Sequence, residues 1–216
     1  MIDALILEGR MVIMIGKNFE LIAGAACLNF TNTLGGARGK TNETEYLKNY
    51  QDLLNWNLLA GLLSAKQAES LELKSKDHQS EANKVLEKAK ELRESIYHIF
   101  SAIASGQIPP NSDLVVMNRE LEHGLHHQRI VWTLSGYKWG WEEPTELDSL
   151  LAPIARSAAD LITSADLTHV RECASPSCSW LFMDETRNKS RRWCNMKTCG
   201  NRNKLKRFRS RHVRNE

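Results

Sequence analysis

No stretch of this chain is long and apolar enough to cross a bilayer as a helix. The N-terminal run MIDALILEGRMVIMIG comes nearest, but Asp3, Glu8 and Arg10 interrupt it. It also lacks a basic leader and a small-residue cleavage site, so export is not expected. Residues 1 to 16 read as an extra strand, or as sequence preceding a start at Met11 or Met14. Internal repeats, heptad arrays and low-complexity tracts are missing too, which argues against solenoids and coiled coils. There is no Gly-rich phosphate loop, no G-x-S-x-G elbow and no H-E-x-x-H pair, so no enzyme is expected. Acidic residues run out near the C-terminus: residues 187 to 216 hold 12 Lys/Arg and a single acid. The preceding 186 residues carry 17 Lys/Arg against 25 acids. An acidic body with a basic end points to a polyanionic partner held by that end.

Cysteine is scarce, with five in 216 residues, and its distribution is uneven. Cys27 lies in the apolar run AACLNF and reads as a small buried hydrophobe. The other four form two C-x4-C pairs, Cys173/Cys178 and Cys194/Cys199, fifteen residues apart. Without export, such thiol pairs indicate metal more often than disulfide. Zinc takes four thiolates in a tetrahedron, and a tight turn in each pair aims two sulfurs at one ion. A closed four-sulfur shell leaves no position for water, so one structural Zn(II) is expected, with iron–sulfur ligation the rival. His169 and His212 are spare ligands that the shell does not require.

In the body, Phe19–Ile22 reads as a strand and Ala25–Leu34 as a helix stopped by Gly35-Gly36. Helical spacing of Leu47, Tyr50, Leu54, Leu58 and Leu62 predicts a helix over Thr44–Leu63. Ser64 caps a further short helix. A long one runs from about His78 to Ser105 with Val85, Leu86, Ala89, Leu92, Ile96, Ile99 and Ile103 buried. Asn111–Leu125 is helical. Arg129–Leu134 and Tyr137–Trp141 form a hairpin around Ser135-Gly136, and Thr145, as cap, starts a helix reaching Ile162. The tryptophans at 56, 132, 139 and 141 read as core rather than as a sensing cavity. EHGLHH, with His123 and His127 at i,i+4, reads as a solvated helix end. Ser164–Leu167 is a short linker. Past it, SWLFMD predicts a strand with Trp180 and Phe182 on one side.

Asn195 caps a last helix expected to reach about His212, with Gly200 a weak point. Asn201, Leu205, Phe208 and His212 share one face of it, and Leu205 and Phe208 are expected to dock it on the zinc-bearing hairpin. The rest of its surface is positive. Phosphate contacts are assigned to Arg187, Arg191, Arg192 and Lys204, and base contacts to Arg202, Lys206 and Arg209. Lys197, Arg207 and Arg211 complete the nucleic-acid set.

The segment Trp193-Cys194-Asn195-Met196-Lys197-Thr198-Cys199-Gly200-Asn201-Arg202, after Arg191-Arg192, resembles the signature of the CGNR zinc finger. Glu172-Cys173, Cys178 and Leu181-Phe182-Met183-Asp184 resemble the first half of that finger. Leu28-Asn29-Phe30-Thr31-Asn32-Thr33-Leu34 and Leu53-Leu54-Asn55-Trp56 are similar to the ABATE domain that precedes such fingers. Asn29 stands where an acidic residue is common, and an extra segment precedes Phe19; neither touches the metal ligands. The resemblance implies an α+β fold: a mainly helical N-terminal domain with a small antiparallel β element, then a treble-clef-like zinc module. It places the regulatory, ligand-sensing domain at 17–166 and the finger with its basic helix at 167–216. Family members are bacterial proteins regarded as stress-linked transcription regulators.

The function expected is a zinc-dependent, DNA-binding transcription regulator in the cytoplasm, associated with the nucleoid. An RNA-binding or ribosome-associated module is the alternative, and an enzyme in the N-terminal domain a more distant one. Expected partners are duplex DNA, a small-molecule effector and a second copy in a homodimer, for which the sequence offers no direct sign.

Overall fold

The computed structural model describes residues 19–144 and 146–212, plus the backbone of two short strands, β1 (Ile6–Leu7) and β2 (Arg10–Met11), which pair antiparallel. For residues 207, 211 and 212 the description covers the backbone alone. The rest of the N-terminal segment, Thr145 with its expected capping role, and Arg214 lie outside the described residues.

The strand expected at Phe19–Ile22 does not form. Main-chain groups just after it turn elsewhere: Ala23 N donates to Asn29 Oδ1 (2.9 Å), and Ala23 O accepts from Met183 N (2.8 Å). Helix α1 (Ala26–Thr31) ends three residues before Leu34, because β3 (Leu34–Gly35) pairs antiparallel with β4 (Thr44–Glu45). The same pairing withdraws Thr44 and Glu45 from the predicted second helix. That helix, α2 (Tyr50–Leu59), begins where Asn49 and Asp52 cap each other's backbone amides. In the β3–β4 loop, Gly36 has φ +81°, and a Cβ there would collide with the Asn42 carbonyl. Only glycine satisfies both conditions.

α3 (Ala65–Asp77) opens on the predicted Ser64, which forms a capping box with Gln67. α4 (Gln79–Ala104), about 39 Å long at 1.5 Å per residue, buries the predicted stripe except Ile103, which is half-buried. α5 (Asn111–Leu125) leads into the hairpin of β5 (Gln128–Thr133) and β6 (Gly136–Trp141), with Thr133 opposite Gly136. The helix expected from Thr145 is a 3-10 turn at Ser149–Leu151 followed by α6 (Ala152–Ile162). Pro153 fixes that start, since a residue without an N–H fits only the first turn. The expected linker is largely taken up by a 3-10 turn, Ala165–His169. β7 (Val170–Glu172), β8 (Leu181–Met183) and α7 (Asn201–His212) complete the chain.

α1 is apolar on nearly every side and packs against α4, α6 and β8. Phe30 lies on Trp56 with centroids 4.9 Å apart. Leu28, Leu54, Ile96 and Phe100 continue this core, and Leu181 and Phe182 of β8 are buried in the same cluster. Of the tryptophans predicted as core, Trp56 is buried, Trp141 is half-buried, and Trp132 and Trp139 are exposed. The last two sit on a two-stranded sheet that pairs with no other described strand.

Candidate metal centre and basic helix

β7 and β8 pair antiparallel, Val170 opposite Met183 and Glu172 opposite Leu181. Cys173 and Cys178 sit in the turn closing this ribbon, and Cys173 N donates to Trp180 O (2.9 Å). Cys194 precedes, and Cys199 lies within, the single π-helical turn Met196–Gly200 that opens α7, and Asn195 Oδ1 caps it by accepting from Lys197 N (2.9 Å). At Gly200 a Cβ would strike the Met196 sulfur, so the suspected weak point is a site of close approach. All four cysteines are buried and their sulfurs lie within 4.8 Å of one another.

The Cys178–Cys194 and Cys194–Cys199 sulfurs are each 3.7 Å apart. A zinc ion with bonds of about 2.3 Å spaces tetrahedral sulfurs by about 3.8 Å, so the ligand set fits. Hydrogen bonds from Cys178 and Cys194 push the Cys173 thiol down to about 2, and the same contacts, with burial, push those two partners up. One divalent ion bound by the thiolates would replace the thiol protons. Cys173, Cys178, Cys194 and Cys199 thus form one structural zinc site with a closed shell. Cys27, by contrast, is fully buried away from it, and burial pushes its thiol up to about 12.

A frame of side chains that motif reading does not mark out as structural fixes this centre to the body. Asn32 uses its whole amide on β8, donating to Leu181 O (2.9 Å) and accepting from Leu181 N (3.0 Å). Trp180 Nε1 donates to Leu34 O (3.0 Å), and Ser179 N to Gly36 O (2.9 Å). Glu172 accepts from Tyr97 Oη (3.0 Å) and Ser101 Oγ (2.6 Å) on α4. Arg38 binds Glu94 (2.8 Å), donates to Thr31 O (2.8 Å) and lies 3.6 Å over the Tyr97 ring. Glu94 also binds Arg93, which grips Glu45 with two bonds of 2.7 Å. Burial opposes ionisation of Glu94, but Arg38 and then Arg93 outweigh it and hold its carboxyl below the usual range.

Asp184 is buried at the end of β8 and accepts from Thr186 N, Thr186 Oγ1 (2.5 Å) and Arg191 N (2.9 Å). Burial works against its charge, yet these bonds prevail and lower its pKa.

The cations predicted to meet nucleic acid divide into two kinds. Arg191 points inward: its guanidinium donates to the carbonyls of Trp193, Cys194 and Met183 and lies 4.3 Å over the Phe182 ring. Arg187, Arg192, Lys197, Arg202, Lys204, Lys206 and Arg209 are exposed. Arg192 lies 5.5 Å over Trp193, and Arg202 reaches Ser177 Oγ at 3.3 Å. The side chains of Arg207, Arg211 and His212 fall outside the described residues.

The expected docking face is overturned: Leu205 is 58% and Phe208 61% exposed. Polar contacts near its start hold α7 instead. Asn203 Nδ2 donates to Cys199 O (2.8 Å) and Ser175 Oγ (3.0 Å), which ties the first turn of the helix to the zinc turn and to the Cys173–Cys178 loop.

EHGLHH is the exposed end of α5, as expected, with Glu122, His123 and His126 open to solvent. His123 and His127 line a cavity of about 330 Å³ with Leu62, Leu63, Trp141 and Pro153. His123 lies 3.8 Å from Asp148 and His127 3.4 Å from Glu142. No described helix is long and apolar enough to cross a membrane.

Comparison with known proteins agrees with this geometry. No curated protein matches the chain. The CGNR zinc finger model matches residues 169–212, from the 3-10 turn before β7 to the end of α7. The ABATE model, described as "Putative stress-induced transcription regulator", matches residues 24–165, well over half the chain. The protein is a member of the ABATE family that carries a CGNR zinc finger at its C-terminal end.

Proposed function

We propose that the protein is a transcription regulator that binds duplex DNA through α7 and the cations around the zinc turn. The supporting observation is the exposure of Arg187, Arg192, Lys197, Arg202, Lys204, Lys206 and Arg209, on α7 and in the segment that carries Cys194 and Cys199. Phosphate contacts fall to Arg187, Arg192 and Lys204, and base contacts to Arg202, Lys206 and Arg209. Arg191 serves as a positioning residue that shapes the loop before Cys194. Residues 167–216 are the output and residues 17–166 the sensing part. The effector occupies the cavity lined by His123, His127 and Trp141, whose size is that of a small-molecule site. The regulator acts as a dimer on paired half-sites.

Selection of bound sequences from a random duplex pool, followed by competition with RNA of the same sequence, tests this reading. The zinc-loaded chain should enrich a short motif and prefer the duplex. No enrichment, or displacement by RNA at equal concentration, would favour the RNA-binding alternative.

A further inference from the structure

The β5–β6 hairpin is the least covered apolar element of the body. Its register sets Ile130 opposite Trp139 and Trp132 opposite Tyr137. Side chains alternate along a strand and cross-strand partners share a face, so these four lie on one side of the ribbon. All are exposed: Ile130 58%, Trp132 67%, Tyr137 80% and Trp139 57%. Arg129, Val131 and Lys138 occupy the opposite side, so the strands place no charge of their own on the first face. A cation from the body, Arg156 of α6, lies 5.7 Å from the Trp139 ring, and Asp160 pairs with it. Three aromatics and an isoleucine at these exposures offer on the order of 600 Å². That is close to the ~800 Å² each partner contributes to a standard interface. Leu134 at the hairpin tip is also almost fully exposed, and adds to it.

We infer that this face is the subunit interface of a homodimer, in which the hairpins of two copies pack face to face about a twofold axis. This deepens the dimeric reading above. The surface is suited to its own copy: it is flat and aromatic and its strands put no charge on it, so neither subunit needs to supply complementary charge. A two-stranded hairpin is marginal when isolated, and β5 and β6 pair only with each other among the described strands. Stacking against a second hairpin covers Trp132 and Tyr137 and leaves α7 of each subunit free.

Sedimentation analysis of the full-length, zinc-loaded chain across the micromolar range tests the inference without DNA. The expected result is a species of twice the 24.6 kDa chain mass that dissociates on dilution. The double variant Trp132→Ser/Tyr137→Ser should be monomeric at every concentration, with far-UV spectrum and zinc content unchanged. Lys138→Ser, on the opposite side, should remain dimeric. Hydroxyl-radical footprinting of the unaltered chain should show Trp132 and Trp139 protected above the dissociation concentration and reactive below it. A monomeric wild type, a dimer that survives the double variant, or a dimer with both tryptophans reactive would each overturn the proposal. Protection only on adding RNA would overturn it too, and would make the face a base-stacking platform. DNA binding by a monomeric wild type would reject the interface and the dimeric reading while leaving duplex binding through α7 intact.

Discussion

The two halves of the zinc module are held by different physics. Its first half, Val170 to Asp184, is woven into the body: Leu181 and Phe182 are in the main core, and Asn32, Gly36, Leu34, Tyr97 and Ser101 meet its polar groups. Its second half, from Cys194 to His212, is attached through the metal turn, Arg191 and Asn203, and carries exposed cations beyond them. The first half is a scaffold built by burial, and the second is a surface built by charge. Zinc is the joint between them. The ribbon that carries Cys173 and Cys178 is also a wall of the core, so the body and the zinc turn are joined directly.

Removing the metal joint should produce the largest difference between the halves. Cys199→Ser should abolish stoichiometric zinc binding and deprotect amides from Cys194 to His212 in hydrogen exchange, while β7 and β8 keep most of their protection. Equal loss in both halves would show that the ribbon also depends on the ion.

Asn32→Ala comes next. It leaves the N–H and C=O of Leu181 unpaired in the core, each at a cost of about 1–3 kcal/mol. Denaturant titration should show that loss in the zinc-loaded protein, with zinc content unchanged. A shift indistinguishable from wild type would mean that the clamp is replaceable.

A smaller effect is expected at Glu94, whose folded-state carboxyl is held low by Arg38 and Arg93. Its contribution is fully present above the unfolded value near pH 4 and disappears as pH falls through the lower folded value. The stability difference between wild type and Glu94→Gln should therefore narrow on acidification below about pH 4. A difference that widens there would contradict the sign.

Least of all should stability respond to α7. Lys204→Ala and Lys206→Ala touch exposed side chains, so the melting temperature should stay unchanged while affinity for DNA falls.

Local signals make much of this legible in sequence. The two C-x4-C pairs mark the metal centre, the Ser64 cap and the α4 stripe mark their helices, and Ser135-Gly136 marks the hairpin. What escapes is non-local. Glu45 lies in β4 because Arg93, 48 residues away, grips it. Asn32 has the setting of a helix residue, yet its amide serves a strand 149 residues on. Phe208 and Leu205 have the spacing of a docking face, yet both are more than half exposed. The same limit applies to Trp132 and Trp139, whose size suggests core although α6 meets that face only at the Trp139 end. The helix end at His123 and His127 is legible, but the cavity beside it is not, because the opposite wall, Leu62 to Gln67, comes from the start of α3 and the residues before it.

If α7 is the output surface, the salt dependence of duplex affinity must report it. Affinity of the zinc-loaded wild type should fall linearly on a log–log plot against salt. Replacing Lys204, Lys206 and Arg209 with alanine should flatten the slope by about 0.9 for each of these side chains that neutralises a phosphate. An unchanged slope in the triple variant, with zinc and fold intact, would mean that DNA is held elsewhere and that α7 is not the output.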